Sequence, residues 1–189
     1  MKSIQTYLKE YFELENQNLE KVAELFHEEH LAKGDFHTRE GSFRSSLSFI
    51  KSGFLRIHSN HDGKEVTQWI SSPGDLTTDL SVLMFGGAAR RNIQAITDCV
   101  LFSLNSDSYQ KIGTIIPAWE RLEKLFLSKC FMTLEDRIFS FLSLSAEERY
   151  HLFFHNNPEL FNQVPLNYLA SMLGMTPETF SRIRKKITS

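Results

Sequence analysis

The sequence predicts an α+β fold: helices at the N-terminus, a β-roll or sandwich of short strands, one long helix, and a C-terminal helix-turn-helix. Three observations carry this. Turn clusters recur from Gly34-Asp35 to Ser72-Pro73-Gly74-Asp75, with short alternating apolar segments between them. A helical period with apolar residues on several faces then runs from Pro117 to about Leu144. Finally, Leu166–Lys186 shows two helical stripes broken by Gly174.

In chain order, residues 3–29 read as helical. Ile4, Leu8, Tyr11 and Phe12 form one stripe, Leu19, Val22, Leu25 and Phe26 another, with acidic outer faces. From His30 the period shortens. The turns Gly34-Asp35, Arg39-Glu40-Gly41, Lys51-Ser52-Gly53, Asn60–Lys64 and Ser72–Asp75 separate strands expected at Leu47–Ile50, Phe54–His58 and Val66–Ile70. Asn92–Ala95 and Val100–Leu104 add two more, and Ser106 is expected to cap a short helix ending near Gly113. In the long helix, Trp119, Leu122, Phe126 and Thr133 share one side, while Leu125, Leu134, Ile138 and Phe141 fall on neighbouring stripes. A helix apolar on more than one face packs on its own body and on something else, and a second copy is the natural partner. Ser145-Ala146-Glu147-Glu148 opens the next helix as a capping box, and Asn156-Asn157-Pro158 ends it.

The last unit is the most specific. Leu166, Leu169, Ala170 and Leu173 make a buried stripe, and Ala170 is small enough for a close helix crossing. Thr176-Pro177 supplies a hydroxyl N-cap and a proline at the first helical position. Phe180, Ile183 and Ile187 are the inner stripe of the second helix, and Glu178, Ser181, Arg182 and Lys185 its outer face. Arg grips guanine O6 and N7 with two bonds, and Glu accepts from the cytosine amino group, so these four are candidate base contacts in a major groove. Thr176, Thr179, Arg184 and Lys186 suit phosphates.

The chain has 189 residues, is 41% hydrophobic and carries 16 Phe, enough for a substantial core. Its net charge is −2, but residues 165–189 set four cations against Glu178, which gives +3 there and −5 elsewhere. A basic tip on an acidic body fits contact with nucleic acid at one end only. Cys99 and Cys130 have no metal-ligand spacing and read as free thiols of a cytoplasmic protein. The charged stretch Met1–Asn16 offers no signal region, and no apolar run approaches the roughly 20 residues of a membrane span. His27 with His30, and His151 with His155, could each share a helix face, yet solvated histidines are the commoner case and no metal is expected. Glu28-Glu29 and Glu147-Glu148 point apart on a helix, and neither a glycine-rich phosphate loop nor a nucleophile elbow is present, so no enzyme is expected.

Lys33-Gly34-Asp35, Arg39-Glu40-Gly41, the run Phe49–Ile57, Asp62-Gly63-Lys64-Glu65, Pro73-Gly74-Asp75 and Pro177–Arg182 together resemble the Crp–Fnr superfamily of bacterial transcription regulators over nearly the whole chain. The resemblance implies a double-stranded jelly roll of the cyclic-nucleotide-binding type, with Glu178 and Arg182 as base contacts and RNA polymerase as a further partner. It also implies a phosphate cassette after the Pro-Gly-Asp turn. Here Asp79 can stand for the acid that holds a ribose, and the candidate pocket is Asp79, Leu80, Ala89, Arg90 and Arg91. The Arg-Ser or Arg-Thr pair that grips a cyclic phosphate in the family is replaced: Ala89-Arg90 falls there, or Arg90-Arg91 after a one-residue slip. A cyclic nucleotide, a different small ligand, or none remain open as the effector. Relatives follow the recognition helix with a two-stranded wing. The sequence stops at Ser189, so no wing is expected, phosphate contacts are fewer, and dimerisation must supply affinity.

These readings divide the chain into a sensor roll with N-terminal helices (1–116), a long dimerisation helix (117–144) and a helix-turn-helix domain (145–189). The function expected is a dimeric, sequence-specific regulator that binds double-stranded DNA through a homodimer and senses through a roll with a degenerate cyclic-nucleotide site. The alternative is a small-molecule or cyclic-nucleotide sensor without DNA-binding activity.

Overall fold

The computed structural model describes residues 3–14, 16–44 and 46–188, leaving out the side chains of residues 16, 17, 187 and 188. The chain begins with α1 (Ile4–Phe12) and α2 (Asn16–Ala23). Eight strands follow among the described residues: β1 (His27–Leu31), β2 (Phe36–Thr38), β3 (Ser46–Ser52), β4 (Leu55–His61), β5 (Lys64–Ser71), β6 (Leu76–Thr77), β7 (Asn92–Ala95) and β8 (Cys99–Asn105). The short helix α3 (Leu80–Phe85) lies between β6 and β7. Helices α4 (Ser106–Ile115), α5 (Trp119–Ser143), α6 (Ala146–Asn156), α7 (Leu160–Gln163), α8 (Leu166–Met172) and α9 (Pro177–Thr188) complete the α+β fold.

The strands form two antiparallel four-stranded sheets, ordered β1-β8-β3-β6 and β2-β7-β4-β5. Strand alternation divides their residues between layers. Ile50, Leu55, Ile93, Ala95, Cys99 and Leu101 fill the roll between the sheets. Leu47, Phe49 and Leu104 face the other way, beneath α1, α2 and α4, where Tyr7 stacks on Phe49 with centroids 5.4 Å apart. A polar chain crosses the roll interior. The Ser103 hydroxyl donates to Glu29 at 2.6 Å, Ser103 and Ser48 share a 2.7 Å bond, and Ser48 meets His37 Nε2 at 2.8 Å. A third cluster joins the C-terminal helices to the second sheet: Phe54, Ile70 and Ile96 pack with Tyr150, Phe161, Leu169 and Phe180.

Three local expectations change. The helical stretch expected over 3–29 is two helices and a strand, because His27–Leu31 pairs with β8 from His27↔Ser103 to Leu31↔Cys99. Leu25 and Phe26 still pack on the helical core from the turn after α2, so the apolar period outruns the helix. His27 and His30 consequently lie on a strand, not on one helix face. The cap of α4 is Asn105, whose side chain accepts from the Ser108 N–H at 2.9 Å, and the helix reaches Ile115. The long helix starts at Trp119, after a Pro117-Ala118 turn. The capping box at Ser145 is present as expected, closed from both sides by Glu148.

On α5, Trp119 is buried and Leu122 and Phe126 are partly buried against the helical core, so one side faces the body. The rest is apolar and open: Ile138 is 60%, Phe139 69% and Leu142 81% exposed. None of the described helices is long and apolar enough to cross a membrane.

Candidate functional site

The turn between α8 and α9 follows from three residues. Gly174 sits at φ +67°, the left-handed region open to glycine. Its N–H donates to Ser171 O and that of Met175 to Ala170 O, each at 3.0 Å, the double closure of a Schellman motif. Thr176 Oγ1 then accepts from the Thr179 N–H at 3.2 Å, and Pro177 starts α9. Leu169, Ala170, Phe180 and Ile183 are buried between the helices as expected. The side chain of Ile187 lies outside the described residues, as does Ser189.

Glu178, Ser181, Arg182 and Lys185 come together on one exposed face of α9 and, with Lys186, line a shallow open concavity. Hydrogen bonds to its own backbone N–H and then to Thr176 hold the Glu178 carboxyl below the usual range, so it is a ready acceptor. The residues expected at phosphates are less uniform. The Thr176 hydroxyl donates to Thr179 Oγ1 at 3.2 Å, Arg184 is half-buried, and Lys186 Nζ pairs with Glu147 on α6 at 3.1 Å.

Sequence reasoning did not find the residues that seat this pair on the roll. The β5 edge donates Thr67 N–H to Ser171 Oγ at 2.9 Å. Arg56 of β4 lies 3.9 Å over the Tyr168 ring while donating to Thr67 Oγ1 and Glu65. Arg137 of α5 donates to Met172 O at 2.9 Å, and Arg149 of α6 to Leu173 O at 3.2 Å, so two arginines cap the open end of α8. Nothing local in the sequence marks these long-range partners.

A second candidate site lies where the roll meets α5. A cavity of about 520 Å³ is bounded by Trp69, Thr77, Thr78, Leu80, Cys130 and Thr133, among others. The Thr77 and Thr78 hydroxyls are buried and have no hydrogen-bond partner among the described residues. Of the five residues expected to hold a ligand, only Leu80 lines this cavity. Asp79 caps α3: Oδ1 accepts from the N–H of Ser81 at 2.9 Å and of Val82 at 3.3 Å, and Oδ2 from that of Arg90 at 2.8 Å. Ala89 is buried, the Arg90 side chain is exposed, and Arg91 Nη1 donates back to Arg90 O at 2.6 Å. The Asp79 carboxylate thus accepts from neighbouring backbone, the Arg90 side chain is exposed, and Arg91 turns to the Arg90 main chain.

With this geometry in place, comparison with known proteins is specific about the fold. Residues 28–113 match the Cyclic nucleotide-binding domain family. FixK2 from Bradyrhizobium japonicum superimposes with a TM-score of 0.72 at 18% identity, covering 86% of this chain and 84% of that one. The c-di-GMP responsive global regulator CLP of Xanthomonas campestris gives 0.70 at 16% identity, with 91% of each chain covered. The regulatory domain of Toxoplasma gondii PKA gives 0.53 at 23% identity over 58% of this chain. The chain spans 43% and 40% of the two protein kinase A regulatory structures it matches. No curated protein matches the sequence. The chain therefore has a Crp–Fnr-like fold, with a roll of the cyclic-nucleotide-binding-domain type.

Proposed function

We propose that the protein is a dimeric, sequence-specific DNA-binding transcription regulator, divided as residues 1–116, 117–144 and 145–189 into sensor, pairing helix and DNA reader. One observation carries the reading: Glu178, Ser181, Arg182 and Lys185 share one exposed face of α9 and line a single shallow concavity there. That face is a set of donors and acceptors at major-groove spacing, on a helix held rigidly from behind by Phe180 and Ile183. Thr176, Thr179, Arg184 and Lys186 flank it toward the phosphates. The open apolar side of α5 supplies the pairing surface: Phe131, Leu134, Ile138 and Phe141 follow a 3-4-3 spacing and are all exposed. Two copies joined there would present two α9 faces to half-sites about one helical turn apart.

In this reading the sensory ligand sits between Thr77-Thr78 and α5 rather than on Arg90, because Thr77 and Thr78, whose buried hydroxyls have no partner among the described residues, line that cavity and Asp79 does not. A cyclic phosphate would find no fixed guanidinium there. Selection of DNA fragments at low salt, followed by a salt series on the winner, tests the regulator. A preferred sequence is expected, with affinity falling linearly on a logarithmic salt scale and specificity relaxed by Arg182→Ala. No preferred fragment, together with an unchanged Arg182→Ala variant, would sink the proposal.

A further inference from the structure

A different cavity lies at the bend between α5 and α6. It measures about 330 Å³, within the range of small-molecule sites, and its walls include Trp69, Arg137, Phe141, Arg149, Leu152 and Met172. Both guanidinium groups bear on the same ring: Arg137 Cζ is 5.6 Å and Arg149 Cζ 4.9 Å from the Phe141 centroid, and Arg137 is 4.9 Å from that of Trp69. Neither arginine has a carboxylate within ion-pair distance among the described residues. Their hydrogen bonds go to main-chain carbonyls instead, Met172 O from Arg137, and Leu173 O and Leu144 O from Arg149. Burial alone pulls the Arg137 guanidinium below its ordinary pKa, which marks a positive charge withdrawn from water without a compensating acid. Asp75 and Asp136 also line the cavity, and burial pushes the Asp75 carboxyl up, toward its neutral form. Two guanidinium groups without a carboxylate partner among the described residues favour an anionic ligand.

We propose that this cavity binds a small aromatic carboxylate, its ring between Trp69 and Phe141 and its carboxylate shared by Arg137 and Arg149. A planar carboxylate matches the guanidinium fork, and both arginines keep N–H donors beyond those given to the carbonyls. Trp69 and Phe141, both in the cavity wall, give an aromatic body apolar ring surface to pack on beside the guanidinium groups. Occupancy would bear on the α8–α9 unit directly, since Met172 and Leu173 form the far wall. The site stands whether or not α9 reads DNA, and it differs from the roll cavity, with which it shares Trp69, Asp75 and Thr133 as a partition.

The probe is indole-3-acetate, titrated calorimetrically into the full chain, with indole-3-acetamide as the neutral isostere. Saturable binding of the acid is expected, and at least about tenfold weaker binding of the amide, since a hydrogen bond to a charged group contributes about 1.5–3 kcal/mol. Arg137→Gln and Arg149→Gln should each weaken the acid about tenfold or more, while Thr78→Val, in the roll cavity, should leave it unchanged. Absence of saturable binding to millimolar concentration overturns the proposal, as does equal affinity for acid and amide. Loss of binding in Thr78→Val with retention in Arg137→Gln would also overturn it, by moving the ligand to the roll. The acid–amide comparison uses the unaltered chain, so it decides the matter even if an arginine variant fails to fold.

Discussion

Replacing Gly174 with alanine tests how the α8–α9 pair is seated. The backbone there is at φ +67°, and an added Cβ would stand 2.7 Å from Phe141 Cε1, closer than carbon atoms approach. Two costs follow. The left-handed conformation disfavours any L side chain by about 1–2 kcal/mol. The Phe141 ring must also move, and overpacking of this kind costs about 1–3 kcal/mol. Phe141 is 38% exposed and can swing outward, so the low end of the second range applies. The sum is about 2–3 kcal/mol, which at a urea slope of about 2 kcal/mol/M lowers the midpoint by about 1–1.5 M. Gly63→Ala is the control. Gly63 has φ +77° in the β4–β5 turn and nothing within 4 Å of the added carbon, so it carries the backbone cost alone. Equal destabilisation in the two variants would refute the claim that the turn is pressed onto α5. In a Phe141→Ala background the excess at Gly174 should vanish, which a double-mutant cycle reads directly.

Four further outcomes are expected. Ile138→Glu, on an exposed part of α5, should leave each copy folded but monomeric in sedimentation equilibrium, and a persisting dimer would remove α5 as the pairing surface. Burial holds His37 below its ordinary pKa against the opposing charge of Glu29, and burial followed by Arg56 does the same to His58. Both bind a proton less readily in the fold than in the unfolded chain, so the unfolded chain takes up more protons as pH falls through about 6.5, and stability present above that pH is lost below it. Urea midpoints should therefore drop between pH 7.5 and 5.5, less so in His37→Gln, whereas a flat profile would contradict the burial of both rings. Asp79→Ala should destabilise the ligand-free protein by about 1–3 kcal/mol, since three backbone N–H groups lose their acceptor; an unchanged thermal midpoint without ligand would show that the carboxylate is free to serve one. Ser145→Ala should cost about 1 kcal/mol through loss of the capping box, measured by the same melts.

What the sequence made legible was what is encoded locally. Gly174, Thr176 and Pro177 announce the α8–α9 turn because each residue type suits one backbone conformation, and the structure uses each for that purpose. The β3, β4, β5, β7 and β8 segments were readable from alternation between glycine-bearing turns. β1 was hidden because Glu28 and His30 on an edge strand look like the polar face of a helix. The segment around Asp79 is less legible for a different reason. Asp79 is expected from the sequence to hold a ligand, and in the fold its carboxylate accepts from the backbone of α3 and of Arg90. A carboxylate's partner is a tertiary fact, and the motif carries only the acid.

The same distinction governs how the helix pair is held. Phe54, Ile70 and Ile96 of the roll meet a cluster that includes Phe161, Leu169 and Phe180, and a fully buried side chain of this size is worth about 1.5–3 kcal/mol. Against this, the Arg56–Glu65 pair has a partner that is 54% exposed, and its charge term is screened to about 0–1 kcal/mol. Stacking of Arg56 on Tyr168 adds about 1–2 kcal/mol. Apolar burial therefore holds the unit in place, while the arginines contribute direction: Arg56, Arg137 and Arg149 reach α8 and its C-terminal end from the roll, α5 and α6. Directional bonds tolerate little displacement and apolar contacts tolerate more. A shift of α5 against the roll would break the Arg137 bond to Met172 O before it broke the apolar cluster, and so loosen the end of α8 without releasing the pair.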